Sequence, residues 1–241
     1  HLAFLCYDVS KDPGRRPDRQ RRQTMAQKLM REMFRLSFGE EVGNAVSHGV
    51  MAVITFILLP LFAVYSYIQG GVIRAAGTSI YLMCMFFMFL TSTIYHSMSY
   101  GSPQKYVFRK LDHIGILFAI AGSYTPVCLS LIQGTSGIVI LIIEWSMVLA
   151  GVLLKAIAKR SYPILSMVIY MVMGWCAVFF LPTLLQRAQP LFLVFIVLGG
   201  LMYTAGAFFY AQPKHAYFHF IWHLFINLAS ICHFIALIFF I

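Results

Sequence analysis

From Asn44 to Ile241 the chain is a series of apolar stretches, each about 20 residues long, parted by gaps of a few polar residues. The hydrocarbon layer of a bilayer is roughly 30 Å thick, and a helix needs about 20 apolar residues to cross it. This part of the chain therefore holds about seven crossings with short connections, and no room remains for a separate soluble domain. The charge content agrees: 11% of residues are charged, against about 25% in a soluble domain, and 60% are hydrophobic. A water-soluble globule and a disordered chain are both excluded. The expected fold is all-α and integral to the membrane.

The expected spans run about 44–67, 75–98, 111–132, 138–157, 162–181, 191–211 and 215–241. Gln69-Gly70-Gly71, Tyr100–Lys105, Gly134–Gly137, Lys159-Arg160-Ser161, Pro182–Pro190 and Gln212-Pro213-Lys214 part them. Lys and Arg are retained on the cytoplasmic side of short loops. With the amino terminus inside, 16 of the 18 basic residues fall on the cytoplasmic side, and only Arg74 and Arg187 fall outside. The expected topology is a seven-transmembrane helix bundle, amino terminus cytoplasmic and carboxyl terminus outside. The net charge of +10 is thus a topological label, and no nucleic-acid partner is expected.

Nine of the basic residues precede residue 36. Residues 1–24 contain the run Gly14–Arg22 but no apolar core and cleavage site, so they are not a signal peptide. They are expected to be foreign to the native protein or a disordered tail, with Met25 resembling a natural start. Residues 25–40 are expected to form a basic amphipathic juxtamembrane helix. Leu29, Met30, Met33, Phe34 and Leu36 lie on one side, and Lys28, Arg31 and Arg35 largely on the other. The membrane domain then covers 41–241. Of the five cysteines, four lie inside apolar runs without a Cys-x-x-Cys spacing, as small core residues would.

Ionisable groups within spans are costly and therefore functional candidates. They are Glu41, His48, His96, Asp112, His113, Glu144, His215, His219, His223 and His233. Under the expected topology, Ser92 and His96 lie in the cytoplasmic half of the second span. Asp112 opens the third at that level, and His219 and His223 open the seventh. Ser92 and His96 are four apart, as are His219 and His223, which stacks each pair on one helix face. Three imidazoles with the fourth position left to water is the arrangement of a catalytic zinc site. Asp112 would hold or deprotonate that water, with Ser92 as a hydrogen-bonding neighbour. Interhelical hydrogen bonding by the same histidines is the competing explanation. His215 shares the face of His219 but sits nearer the headgroups and ranks below it. His233 points away and is expected to be structural.

At these residues the chain resembles the progestin and adipoQ receptor superfamily, and most of all its bacterial hemolysin III branch. Glu41-Val42-Gly43-Asn44-Ala45-Val46-Ser47-His48 resembles the family's first motif, Glu-x-x-Asn-x-x-Ser/Thr-His. Ser92-Thr93-Ile94-Tyr95-His96 resembles Ser-x-x-x-His. Lys110–Gly115, continuing to Gly122–Pro126, resembles the Asp-containing third-helix motif, and His219-Phe220-Ile221-Trp222-His223 resembles the closing His-x-x-x-His. The first 38 residues have no counterpart. The resemblance implies Zn²⁺ held by His96, His219 and His223, Asp112 on the water, Ser92 beside it, and kinship with integral-membrane metal-dependent hydrolases such as the alkaline ceramidases. Glu144 departs from the pattern and is expected to be a carboxyl packed between helices. Glu41 and His48 are read as structural, capping or clamping the helix start.

The expected activity is zinc-dependent hydrolysis of a lipid amide or ester in the inner leaflet. Two alternatives belong to other classes: a channel-forming or cytolytic protein, and a membrane sensor whose zinc is structural.

Overall fold

Ser37 starts the first helix through a capping box. Its hydroxyl accepts from the Glu40 amide at 3.2 Å, and the Glu40 carboxylate accepts from the Ser37 amide at 3.0 Å. The computed structural model describes residues 36–157 and 163–241. The expected leader 1–24, residues 25–35 of the expected amphipathic helix and the Lys159–Ser161 gap lie outside the described residues, and Phe38–Glu40 belong to the first turn of α1.

α1 runs Phe38–Ser97 over 60 residues. A straight helix of that length would span about 90 Å, three hydrocarbon cores. It is not straight. Gly70 (φ −158°, ψ 20°) and Gly71 (φ 69°, ψ −162°) leave helical geometry, and the positive φ at Gly71 favours glycine. The two arms fold back antiparallel, with Glu41 against His96, Phe56 against Phe86 and Ser66 bonded to Thr78 at 2.8 Å. The Gln69-Gly70-Gly71 gap is thus the turn of a helical hairpin.

α2 (Pro103–Pro126) begins eight residues before the expected position 111. Ser102 caps it by accepting from the Lys105 amide at 3.1 Å, and Pro103 occupies its first turn. The helix ends in a π-helical turn, Val127–Ile132, and Gln133 and Gly134 (φ 54° and 59°) reverse the chain into α3, Gly134–Ile157. α4 (Pro163–Trp175) passes through a 3₁₀ segment, Cys176–Phe180, into α5, Leu181–Arg187. Pro182 was expected to open a connection; instead it sits in the first turn of α5, where its missing N–H costs nothing. The Tyr124 hydroxyl stitches the break, donating towards the Met173 and Gly174 carbonyls (3.0 Å each) and accepting from the Ala177 amide at 2.8 Å. α6 (Pro190–Tyr210) and α7 (Phe218–Phe239) complete the chain. Their seam is close because Gly199 and Gly206 leave room for His233, Trp222 and Phe225.

Among the described residues there are no strands, and six helices are long and apolar enough to cross a membrane, α1 being counted once. Burial is inverted relative to a soluble protein. On the first arm of α1, Val53, Phe56, Ile57 and Val64 are exposed, whereas Asn44, His48, Thr55 and Ser66 are buried. Polar groups face the bundle interior and apolar groups face outward, as the bilayer demands. Tyr81, Phe89, Ile140 and Phe192 fill the core between them.

Candidate metal centre

The second arm of α1 and the start of α7 bring three histidines together. His96, His219 and His223 each offer a ring nitrogen, and these nitrogens lie within 4.8 Å of one another. The spacing of four in His219-x-x-x-His223 stacks both imidazoles on one face of α7, and their Nε2 atoms are 3.2 Å apart. Two nitrogens each about 2.0–2.1 Å from one tetrahedral zinc would stand roughly 3.3 Å apart, so the pair fits a shared ion. His96 meets them from the other helix, with ring centroids at 5.3 Å and 4.8 Å. His96 Nε2 and His223 Nδ1 are buried without a hydrogen-bond partner. An unpaired nitrogen in an apolar interior costs about 1–3 kcal/mol, which a bound cation would offset at His96.

The other nitrogen of His96 is committed. Nδ1 lies 2.6 Å from Glu41 Oε2, and the second Glu41 oxygen accepts from Lys105 Nζ at 2.8 Å. Lys105 is itself only 2% exposed, donating also to the Tyr95 and Met98 carbonyls at 3.1 Å each. A carboxylate on Nδ1 fixes the tautomer that leaves Nε2 free as a metal ligand. Next door, Glu40 accepts from the Tyr217 amide at 2.6 Å, tying the first turn of α1 to the residue before α7. Tyr217 itself adopts a left-handed conformation (φ 62°). Adjacent acids on α1 therefore brace both helices that carry the histidines.

Asp112 lies outside the group of converging ligand atoms. It stands on the wall of the adjoining cavity with Ser92, within electrostatic reach of His96. The Ser92 hydroxyl is buried and directed to Asp112. The cavity has a volume of about 1080 Å³. It reaches along α2 from Arg109 to Tyr124, roughly 22 Å of helix rise, and on to Ile132 of the π-helical turn. Its polar end holds His219, His223, His48 and Asp112, and its far end is apolar, with Leu184, Phe192 and Ile132.

The remaining ionisable residues fall into place around this site. His48 is 3% exposed with its ring centroid 3.9 Å from that of His223, so it lines the same cluster. His215 departs from expectation: α7 begins at Phe218, leaving His215 in the preceding turn, exposed and stacked on Phe218 rather than sharing a helix face with His219. His113 is held by the Arg109 carbonyl at 2.6 Å and by Tyr210 at 3.4 Å. His233 bonds the Ile196 carbonyl at 3.3 Å. Glu144 is fully buried between helices near Cys176, and Trp145 turns away from it to Thr125. The four cysteines among the described residues are unbridged.

Sequence reasoning missed Glu41, Lys105 and His48 as parts of this cluster. Glu41 and His96 lie at one level of the bundle, so the depth comparison that gathered the histidines would also have gathered Glu41. Lys105 was counted only as a marker of the cytoplasmic side.

Comparison with known proteins agrees with this architecture. The sequence profile of the family described as "Haemolysin-III related" matches residues 36–234. The chain is 30% identical to the "Hemolysin-3 homolog" of Bacillus subtilis (strain 168) over 83% of its own length and 94% of that protein. It is 30% identical to "Hemolysin-3" of Bacillus cereus over 84% and 92% of the two chains. A more distant similarity, 26% identity over 66% of this chain and 67% of the other, links it to the human "Monocyte to macrophage differentiation factor". With its inverted burial and apolar helices, the chain is a multi-pass membrane protein that belongs to the haemolysin-III-related family.

Proposed function

We propose that this protein is a zinc-dependent hydrolase of lipid amide or ester bonds, built as seven spans with a cytoplasmic amino terminus. The observation that carries this proposal is the convergence of three histidines, two of which line the polar end of a lipid-sized apolar cavity. His96, His219 and His223 hold the metal. Bound zinc supplies Lewis acidity and makes water a nucleophile near neutral pH. Asp112 takes the proton of the attacking water as its oxygen joins the acyl carbon. It returns that proton to the leaving amine or alkoxide as the C–N or C–O bond breaks. Ser92 stands beside Asp112 to orient it. Turnover of labelled ceramide and other acyl lipids by the purified protein tests the proposal: chelation is expected to remove turnover and added zinc to restore it. Turnover that is indifferent to chelation refutes it.

Glu41 acts through His96. Glu41→Ala is expected to weaken zinc binding about 10–100-fold, the usual cost of losing a carboxylate behind a histidine ligand. Competition with a chelator of known affinity measures the change, and Glu41→Asp is expected to recover part of it.

The names of the Bacillus relatives favour a second proposal, a cytolytic protein. Leakage from protein-loaded vesicles that persists under chelation would support it. A scarcity of interior charges argues against a polar pore, since four acids, Glu40, Glu41, Asp112 and Glu144, are present among the described residues.

A further inference from the structure

Among the described residues, Arg109 is the one Lys or Arg side chain that lines the cavity. It stands one helical turn before Asp112 on α2, so guanidinium and carboxylate share a face. It lies within electrostatic reach of Tyr95, Asp112, Tyr210 and His219, at the polar end of the cavity.

Its basic neighbours are already engaged. Lys105 is bound by Glu41 and two carbonyls. Lys110 lies 5.3 Å over the Tyr106 ring, and Lys155 donates to Ser166 at 2.5 Å. The Arg109 guanidinium makes no hydrogen bond or ion pair with the described residues. The acids nearby are no better placed to neutralise it. Glu41 is taken by His96 and Lys105, and Glu40 by Ser37 and Tyr217. That leaves Asp112 alone facing both Arg109 and Lys155. A planar fork of five donors, half-buried at the polar end of an apolar cavity, matches a carboxylate or phosphate.

We propose that Arg109 binds the anionic group of an acyl lipid whose chain fills the cavity, so that the substrates are lipids with a carboxylate or phosphate a few atoms from the scissile bond. This rests on the hydrolytic function proposed above. A lipid held at both ends places its amide or ester between Arg109 and the apolar wall, beside the histidines and Asp112. An uncharged lipid of the same chain length would lack the contact at the polar end.

The test compares N-oleoylglycine with its uncharged counterpart N-oleoylethanolamine, in wild type, Arg109→Gln and Arg109→Lys. Wild type is expected to favour the anionic lipid in kcat/KM by about tenfold or more, the worth of a charge-assisted hydrogen bond. Arg109→Gln is expected to bring the two lipids to parity, and Arg109→Lys to restore part of the preference. The same comparison is made by equilibrium binding to chelated protein, which reads Arg109 without any turnover. Loss of anionic preference in binding by Arg109→Gln supports the proposal even if neither lipid is cleaved, an outcome that would sink only the hydrolytic function. Equal affinity of wild type for both lipids, or a preference that survives Arg109→Gln, overturns it. Inorganic phosphate is the third probe. It is expected to compete only at concentrations far above the lipid, and competition at equal concentration would identify a free anion as the ligand and overturn the lipid assignment.

Discussion

Exchanging His219 for alanine is expected to empty the metal site and to lower lipid hydrolysis by about 10³-fold or more, the worth of several kcal/mol of metal-assisted stabilisation. The reason is geometric. His219 and His223 present facing Nε2 atoms 3.2 Å apart, and His96 alone approaches them from the second arm of α1. Removing one leaves two of the three converging ligand nitrogens, too few for a zinc site of the usual kind. His219→Gln, which keeps much of the volume, is expected to fall as far, separating lost ligation from lost packing. Zinc content and turnover measured on the same preparations check both.

Asp112→Asn is expected to separate chemistry from metal binding. Its carboxylate is outside the converging ligand atoms, on the cavity wall with Ser92. Zinc content should therefore hold at the wild-type value. Turnover is expected to drop by about 10²–10⁴-fold, the usual contribution of a positioned general base. A variant that loses zinc as well would make Asp112 part of the metal's support and require another base.

The histidine triad was legible in the sequence because two periodicities met there. Spacing by four placed His219 with His223, and the alternation of spans set His96 at the same depth. The hairpin of α1 was legible at Gln69-Gly70-Gly71, since paired glycines beside a polar residue break an apolar helix. Pro182 misled for a physical reason: proline ends a helix in its interior but is at home in a first turn, and pattern alone does not distinguish the two positions. The bracing network was hidden differently. Glu41, Lys105 and Glu40 look like ordinary charges at a membrane face, and their roles depend on partners 55, 64 and 177 residues away. His215 was misplaced because its spacing from His219 assumed helix where the chain still turns.

Elemental analysis of the purified, dialysed protein is expected to find about one zinc per chain in the wild type and little in His96→Ala, whose free Nε2 is the ligand braced by Glu41. A wild-type protein without stoichiometric zinc, or a His96→Ala protein that keeps it, would contradict the assignment.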